Sequence, residues 1–340
     1  MNDFTWLPDL ASRLVGGAVV YANDEFFGPR EALIRPEPPG FQPATFGAKG
    51  QVYDGWETRR RRQPGHDIAI VRLGVPGVIR GVVVDTAFFR GNYPPEISVE
   101  ACTVDGHPTP EEVLRAAWTP VVPRSRITGD QRHLFAVHDD RRFTHVRLSI
   151  YPDGGVARLR VHAEPVGDPR WMAGGWIDLI AVEHGGLVVA CSDQFYGSPH
   201  NLLMPGPARS MGEGWETARR RTGGNDWVEV RLGVPGIPKL VELDTSHFKG
   251  NAPEAARLTA TDLPTGGQEA QWWELLPRTA LVPDSRHRFP IPAEAQKLTS
   301  RIRLDVYPDG GMARMRLWGE PSATGLAALG RRWEGGVVET

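Results

Sequence analysis

Two histidines stand beside acidic side chains in segments that could carry acid–base chemistry. The first, His66, ends the stretch GWETRRRRQPGHD with Glu57 and Asp67, and the second, His247, lies with Asp244 in DTSHFKGN. A histidine exchanges protons near neutral pH, and a nearby carboxylate can orient it or act as a general base itself. These residue types predict five candidate catalytic residues: His66, Asp67, Glu57, His247 and Asp244.

Other polar side chains of the same segments could bind a small anionic substrate. Arginine presents a planar fork that fits a carboxylate, and carboxylate or amide oxygens can accept hydrogen bonds from N–H groups. The candidate substrate-binding residues are Arg30, Arg60, Asp85, Asn92, Arg219, Lys249 and Asn251.

The arginine run at 59–62 has two further interpretations, a solvated loop and a nucleic-acid patch. Nucleic acid requires a wider basic surface, whereas Asp54, Glu57 and Asp67 surround this run and the net charge of the chain is −2. We therefore expect the arginines to pair largely with carboxylates, and we expect no nucleic-acid partner.

The sequence contains no motif typical of a metal or cofactor site. The ten histidines show no spacing typical of metal ligands, and the chain contains no Gly-x-Ser-x-Gly and no Walker loop. The repeated GVPG predicts a turn and not a phosphate loop. We therefore predict no metal site and no certain cofactor, and we leave open a divalent metal bound by residues from distant loops.

Both candidate segments belong to an internal repeat. Residues 54–92 align with residues 213–251, and 22 of the 39 aligned pairs are identical. The stretch YPDGG also recurs, at 151–155 and at 307–311. A repeat of this length is domain-sized and much longer than a solenoid unit. The chain is therefore predicted to be two copies of one domain.

The repeat also sets the predicted domain boundaries. We place the first domain at 15–165, the second at 180–322 and a C-terminal tail at 323–340. The junction between the copies is expected around 166–185.

Differences between the copies favour the two histidines. His66 aligns with Asn225, and His247 aligns with Phe88. A loop histidine is more often simply solvated, but after duplication one copy can keep chemistry that the other loses. We predict that His66→Ala or His247→Ala loses at least about a hundredfold in turnover. The sister positions Phe88 and Asn225 should matter through packing only.

The local sequence pattern is that of β-strands. DWVEVRL and RIRLDVY alternate apolar and polar residues, and YPDGG has turn chemistry, so 301–318 is predicted to form a hairpin. The best helix signal begins at Thr109, with Pro110 in the first turn and Glu112 completing a capping box. The predicted fold class is all-β, with two tandem jelly-roll β-sandwich domains related by internal duplication.

Composition indicates a globular protein of the cytoplasm. Of the 340 residues, 40% are hydrophobic and 24% are charged, and there are only two cysteines, Cys102 and Cys191. Two cysteines cannot form a disulfide framework at this length, which favours a reducing compartment. We see no signal peptide and no apolar stretch long enough to span a membrane.

The long motifs resemble those of the allantoicase family. NDEFFGPREALI, DGWETRRRR and GHDIAIVRLGVPGVIRGVVVDTAFFRGNYPP carry the resemblance in the first copy. SDQFYGSPHNLLMPG, GWETARRR, NDWVEVRLG and LDTSHFKGN carry it in the second copy. One departure is Ile68, where the family often has the tryptophan that the second copy keeps as Trp227.

The resemblance implies a fold and an activity. The fold is two tandem jelly-roll domains of the galactose-binding-like type. The activity is hydrolysis of allantoate to ureidoglycolate and urea in purine degradation. No catalytic residue set is carried over from the family. The expected partner is this small-molecule substrate, with no membrane, and we also expect a homo-oligomer.

Two other interpretations stay open at this stage. Jelly-roll domains of this type often bind carbohydrate or another small ligand without catalysis. A secreted carbohydrate-binding module would carry a signal peptide, and its absence here argues against that reading. A catalytically inactive partner in the same pathway is the third alternative.

Overall fold

The computed structural model describes residues 4–48, 50–263 and 270–335. The chain divides into two compact units, Met1–Glu164 and Pro165–Thr340. Both consist mainly of strands, so the predicted all-β fold class is confirmed. The boundaries at 15–165 and 180–322 stay predictions.

The two units contain corresponding elements. Those of the N-terminal unit are β1 (Ala18–Ala22), β2 (Phe46–Gly47), β3 (Gly50–Gln51), β4 (Trp56–Glu57), β5 (Asp67–Asp85), β6 (Glu96–Cys102), α1 (Pro110–Leu114), β7 (Thr119–Arg126), β8 (Arg132–Ala136), β9 (Arg142–Tyr151), β10 (Gly155–Val156) and β11 (Arg158–Pro165). Those of the C-terminal unit are β12 (Ile177–Asp178), β13 (Leu187–Cys191), β14 (Trp215–Glu216), β15 (Asp226–Asp244), β16 (Ala255–Thr261), β17 (Trp273–Ala280), β18 (Arg286–Pro290), β19 (Thr299–Tyr307), β20 (Gly311–Met312), β21 (Arg314–Pro321) and α2 (Ala323–Trp333).

The longest strand of each unit takes part in both sheets of a sandwich. The first half of β5 pairs with β1 and β9, and its second half pairs with β8 and β11. In the C-terminal unit, the first half of β15 pairs with β13 and β19, and the second half pairs with β18 and β21. This arrangement places the two sheets of each unit face to face around one core, as in a jelly roll.

The repeated RLGVPG motif marks the place where the long strand changes sheets. The register breaks between Arg72 and Gly77 in β5, and between Arg231 and Gly236 in β15. The predicted turn at GVPG is therefore wrong, because the motif lies inside a continuous strand. Glycine-rich sequence permits a turn, but here the glycine allows a close approach of two backbones. A Cβ on Gly74 would lie 2.1 Å from the carbonyl oxygen of Val15.

A second connection also differs from its prediction. The segment 301–318 does not form a hairpin, because β19 and β21 pair with opposite halves of β15 and not with each other. The alternation of polar and apolar residues does predict both strands. The turn chemistry of YPDGG fixes a local reversal, but it does not determine which strands become neighbours.

The helix predicted after Thr109 is present with its capping box. The side chain of Thr109 accepts a hydrogen bond from the Glu112 backbone, and the Glu112 carboxylate accepts one from the Thr109 backbone at 2.7 Å. The buried Val113 of α1 packs against Ile70 and Cys102, so the helix covers part of the sheet that contains β9 and β6. The predicted C-terminal tail contains α2, and residues 336–340 lie outside the described residues.

Two buried tryptophans hold equivalent loops in the two units. Trp56 and Trp215 are both fully buried. The indole of Trp56 donates to the carbonyl of Asp24 at 2.8 Å, and that of Trp215 donates to the carbonyl of Asp193 at 2.9 Å. These contacts explain why the GWET motif is kept in both copies. Among the described residues, no helix is long and apolar enough to cross a membrane.

Candidate functional sites in the two units

The retained glutamate of GWET pairs with the retained asparagine of the GN motif. Asn92 Nδ2 donates to Glu57 Oε1 at 2.7 Å, and Asn251 Nδ2 donates to Glu216 Oε1 at 2.6 Å. Burial raises the pKa of Glu57, against the lowering effect of the Asn92 hydrogen bond. Because both copies make the same pair, it joins two loops of the fold in each unit.

The retained aspartate of the DT motif holds the turn that follows the long strand. Asp85 Oδ1 accepts from the Ala87 backbone at 2.8 Å, and Asp244 Oδ1 accepts from the Ser246 backbone at 2.9 Å. Both aspartates are buried. They therefore stabilise the same turn in both units, and Asp244 additionally lines a cavity described below.

His247 occupies a backbone position that is rare for residues other than glycine. Its φ is 72°, and the φ of the aligned Phe88 is 68°. The Phe88 ring stacks on Phe41 with centroids 5.4 Å apart, whereas the exposed His247 places Nε2 2.9 Å from the carbonyl of Ala208. Lys249 lies beside it and pairs with Asp284 at 3.9 Å. The histidine is thus tied to a loop carbonyl, and it forms no hydrogen bond or ion pair with Asp244 within the described chain.

The arginine runs are only partly paired. Arg61 pairs with the buried Asp67, Arg220 pairs with the buried Asp226 at 2.5 Å, and Arg59 pairs with Asp24 at 2.6 Å. These pairs agree with the predicted engagement with carboxylates. The other positions differ: Arg60, Arg62, Arg219 and Arg221 are exposed and form no ion pair with any residue that the structure describes. Arg30 pairs with its neighbour Glu31 at 3.2 Å.

His66 lies in a polar cleft on the outer face of the sheet. We call this the N-terminal cleft, and its two adjoining parts have volumes of ≈ 370 and ≈ 490 Å³. The side chains that define it are His66, Glu96, Ser98, Glu100, Arg124, Arg147, Ser149 and Tyr151. The His66 ring packs against Tyr151 with centroids 4.7 Å apart.

The electrostatics of this cleft keep His66 neutral. Burial, followed by the charges of Arg147 and Arg61, lowers the pKa of His66. The ring nitrogens make no hydrogen bond to any described residue, so a neutral imidazole is free to accept a proton. Arg147 pairs with Glu100 at 2.5 Å. Asp67, although next in the chain, is buried behind the cleft, and Glu57 belongs to the separate Asn92 pair.

The equivalent face of the C-terminal unit is filled. Asn225, which aligns with His66, donates to Asp305 at 2.9 Å. The guanidinium of Arg303 lies 4.3 Å from the ring centroid of Trp227. Tryptophan instead of Ile68 at this position therefore occupies the face that stays open in the N-terminal unit.

The C-terminal unit contains a second cavity, which we call the arginine cavity. Its volume is ≈ 640 Å³, and it lies on the outer face of the sheet formed by β12, β21, the second half of β15 and β18. Apolar walls come from Trp176, Leu240 and Trp318. Its charged or titratable lining residues are Asp178, Glu183, His184, Glu242, Asp244, Arg286, Arg288, Arg314 and Arg316.

Two arginines at the back of this cavity are fixed by backbone carbonyls. Arg314 Nη1 donates to Glu213 O at 2.6 Å, and Arg316 Nη1 donates to Leu202 O at 3.2 Å. Burial and the neighbouring charge of Arg316 lower the pKa of Arg314 to about 10. Their counterparts Arg158 and Arg160 hold loops in the N-terminal unit in the same manner.

An aspartate and a histidine meet deeper in the same cavity. Asp178 Oδ1 accepts from the Leu317 backbone at 2.9 Å, while the buried Oδ2 makes no hydrogen bond and lies 3.4 Å from Arg316 Nε. Burial raises the pKa of Asp178. His184 Nδ1 lies 2.7 Å from the carbonyl oxygen of Asp178. A carbonyl only accepts, so Nδ1 carries the proton, and Nε2 is left as an acceptor in the neutral ring.

Two further arginines project from β18 at the mouth of the cavity. Arg288 Nε donates to Glu242 Oε2 at 2.6 Å. Arg286 Nε is 3.4 Å from Asp244 Oδ2 and 3.8 Å from Glu242 Oε1, and it makes no hydrogen bond to any described residue. Among the four arginines of this cavity, Arg286 is therefore the one whose planar fork is least committed.

Sequence reasoning identified only Asp244 among these cavity residues. The other cavity residues could have been recognised from a difference between the copies in the residues that face each other across neighbouring strands. Val83 and Leu134 face each other in the N-terminal unit, at the place where Glu242 faces Arg288 in the C-terminal unit. The comparison of the copies gave weight to histidines within 54–92 and 213–251. It therefore passed over His184, which lies outside that aligned window.

In the three described ranges, no group of three or more His, Cys, Asp or Glu side chains is arranged to hold a metal ion. The divalent metal that the sequence left open therefore has no candidate ligand set among these residues.

Comparison with known proteins gives one consistent result. A family model described as allantoicase repeat matches residues 8–166 and again 177–322. A probable allantoicase of Nocardia farcinica is 59% identical over 319 residues, which cover 93% of this chain and 95% of that protein. A probable allantoicase of Streptomyces coelicolor is 48% identical and covers 97% of this chain and 89% of the relative.

Solved structures agree with the sequence comparisons. A crystal structure of allantoicase from Saccharomyces cerevisiae is 36% identical, with a TM-score of 0.77 over 92% of both chains. A second solved allantoicase structure is 36% identical, with a TM-score of 0.78 over 93% of both chains. The similarity extends through both units and is not confined to one repeat.

Proposed function

Because the chain belongs to the allantoicase family, we propose that it is a hydrolase that converts allantoate and water to ureidoglycolate and urea. The observation that carries this proposal is the family match in both halves of the chain, together with 59% identity to a probable allantoicase across nearly its whole length. The reaction would belong to purine degradation and would cleave a C–N bond of a linear ureide.

The chemistry places definite demands on a site. The oxygen of water forms a bond to the central carbon of allantoate, and the bond from that carbon to one ureido nitrogen breaks. One proton of the water passes to a general base, and a general acid supplies a proton to the departing nitrogen. The substrate carboxylate requires a cation, and the ureido N–H groups require oxygen acceptors.

Two places in the structure offer these groups. The N-terminal cleft supplies His66 as a neutral base, with the Glu100–Arg147 pair close by. The arginine cavity supplies carboxylates that include Asp244, four arginines and His184. The roles predicted from sequence for His66, Asp67, Glu57 and His247 remain proposals, as do those of the seven substrate-binding candidates.

Three further properties are part of the proposal. The hydrolysis needs no nucleotide or redox cofactor, because no electron pair leaves the substrate to an acceptor. We also propose a cytoplasmic location and a homo-oligomeric state. Light scattering of the purified protein would test the oligomeric state, and a single-chain mass would contradict it.

The reaction itself is tested by product analysis. Purified protein is incubated with allantoate, and the solution is followed by ¹³C NMR, with allantoin as a cyclic control substrate. We expect allantoate to disappear with equal formation of ureidoglycolate and urea, and allantoin to remain. Absence of urea with and without added divalent metal would refute the proposed function.

A further inference from the structure

The sheet face that carries the arginine cavity is built differently in the two units, although both descend from the same repeat. In the N-terminal unit the equivalent sheet face is covered by that unit's own first residues. A Cβ on Gly81 would lie 2.2 Å from the Phe4 ring, and Phe4 also contacts His162 with ring centroids 5.9 Å apart. The C-terminal unit instead has Leu240 and Trp318 as cavity walls.

The residues that differ between the units are those that add charge or a titratable group. The N-terminal unit has the buried Val83 opposite Leu134, and at the same place the C-terminal unit has Glu242 opposite Arg288. The alignment of LVGG with EHGG shows that His184 of the C-terminal unit occupies the position that Val15 has in the N-terminal unit. A fold that needed only stability would retain the apolar pair, since paired charges at such a surface contribute little to stability.

The cavity contains groups that are not satisfied within the fold. Asp178 Oδ2 is buried and makes no hydrogen bond. Nε2 of His184 is an acceptor because Nδ1 is committed to the Asp178 carbonyl, and it too makes no hydrogen bond within the described ranges. Arg286 forms only long ion pairs, with Nε 3.4 Å from Asp244 Oδ2 and 3.8 Å from Glu242 Oε1, and it makes no hydrogen bond within the described ranges. Buried polar groups usually find hydrogen-bond partners, so the buried Asp178 Oδ2 leaves a place for a donor, while His184 Nε2 and Arg286 are accessible to a ligand from solvent.

The arrangement defines the chemical class of that ligand. Arg286 suits a carboxylate, and Glu242 and Asp178 suit N–H donors on the same small molecule. The faces of Trp176 and Trp318 suit a planar group such as a urea. A small carboxylate that carries ureido groups combines all of these features, and its size is well within ≈ 640 Å³.

We propose that the arginine cavity is the allantoate site, with Arg286 binding the substrate carboxylate and His184 Nε2 accepting the proton of the attacking water. This inference rests on the proposed function and adds a location and two residue roles to it. In this account the N-terminal unit has closed its own cavity, and the N-terminal cleft is not where the reaction occurs.

Steady-state urea release by a set of full-length variants tests the inference. His184→Asn keeps an N–H donor toward the Asp178 carbonyl but has no acceptor at the Nε2 position. We expect its kcat to fall by about 10²–10⁴-fold, as for loss of a general base. Arg286→Gln should raise KM at least about tenfold, because it removes a charge-assisted contact with the substrate.

The double variant Glu242→Val with Arg288→Leu recreates the pair that the N-terminal unit already accommodates. We expect it to fold and to lose at least about a hundredfold in kcat/KM. A matched control comes from the N-terminal unit. Arg132 faces Asp85 across the strands as Arg286 faces Asp244, so Arg132→Gln should stay within about twofold of wild type. His66→Ala is assayed in parallel, because the N-terminal cleft is the competing location for the site.

A binding measurement separates failure of the site from failure of the function. Thermal stabilisation by allantoate is recorded for the wild type, for Arg286→Gln and for the double variant. Stabilisation lost in both variants supports the cavity, even if the wild type releases no urea. Full kcat/KM and full stabilisation in Arg286→Gln and in the double variant would overturn the inference while leaving the proposed function intact. A large loss of urea release in His66→Ala alone would move the site to the N-terminal cleft. A wild type that neither binds nor hydrolyses allantoate would refute both.

Discussion

At the scale of single residues, two histidines of the N-terminal unit are held neutral by their surroundings. Burial lowers the pKa of His145 to about 4, with a smaller contribution from the charge of Arg72. Partial desolvation in the cleft also lowers the pKa of His66, and the charge of Arg147 lowers it further. His145 lies inside the sandwich, whereas His66 is exposed at the cleft. The first should affect stability, and the second should affect proton exchange at the surface.

His145 makes stability depend on pH. An unfolded histidine titrates near 6.5, whereas the folded one titrates at about 4, so the unfolded state binds more protons between these values. Neutral His145 contributes fully to the free energy of unfolding above about pH 6.5, and this contribution is lost as the pH falls toward 4. The difference amounts to roughly 3 kcal/mol. Guanidinium denaturation at pH 7 and 4.5 should show this loss in the wild type.

Replacement of His145 isolates its contribution to that loss. His145→Gln should reduce the pH dependence of the free energy of unfolding over the same range. His107→Gln, at an exposed loop position, should leave the dependence unchanged. An equal loss of stability in wild type and His145→Gln would assign the pH dependence to other groups.

His66 can be followed directly by NMR. Its titration midpoint should lie below 6.5, because burial and two nearby arginine charges oppose protonation. Arg147→Gln removes one of those charges and should raise the midpoint. Arg90→Gln serves as a control, since Arg90 pairs with Asp130 in an exposed loop. A midpoint that stays constant in Arg147→Gln would contradict the electrostatic description of the cleft.

At the scale of elements, the passage of one strand through both sheets depends on small residues. A Cβ added to Gly74 in β5 would lie 2.1 Å from Val15 O, and a Cβ added to Gly233 in β15 would lie 2.0 Å from His184 O. Both contacts are with backbone, which cannot rotate away as a side chain can. The same motif is therefore kept in both copies for a structural reason.

The corresponding substitution should be costly. Gly74→Ala forces the strand and the Val15 segment apart, and we expect a loss of about 1–3 kcal/mol in the free energy of unfolding. Gly91→Ala is the matched control, because a Cβ there meets nothing within 4 Å. Chemical denaturation of both variants measures the difference. A Gly74→Ala protein as stable as Gly91→Ala would show that the two backbones do not approach as described.

Local sequence predicts the elements better than their connections. Alternating side chains predict β19 and β21, and capping chemistry predicts α1 from Thr109 onward. The hairpin predicted between these two strands is absent, because neighbours in a sandwich are set by burial of whole faces and not by the intervening turn. The pairing of Glu242 with Arg288 likewise depends on the register between β15 and β18, which alternation within one strand cannot specify.

At the scale of the whole molecule, duplication has produced two units with the same strands and different surfaces. The N-terminal unit keeps an open cleft around His66 and covers its other face with Phe4. The C-terminal unit fills the first face with Trp227 and leaves the second face open as the arginine cavity. The sequence repeat predicts that the two units share a fold. Which sheet face carries an open cleft or cavity in each unit depends on packing between residues far apart in the chain.

The charge of the whole chain also makes a prediction about partners. The net charge is −2, and three of the arginines in the runs are paired with carboxylates. Tight nucleic-acid binding needs many unpaired cations on one surface. We expect no salt-sensitive micromolar binding to generic DNA or RNA in a fluorescence anisotropy titration. Binding that weakens steeply with added salt would contradict this expectation.

The most direct test of the central claim is the initial rate of urea release from allantoate by the purified full-length protein, measured with and without a chelator. The account predicts one urea and one ureidoglycolate for each allantoate consumed, with the rate of the His184→Asn protein reduced about 10²–10⁴-fold in the same assay. No urea from the wild-type protein, in the chelated state or with divalent metal restored, would contradict it.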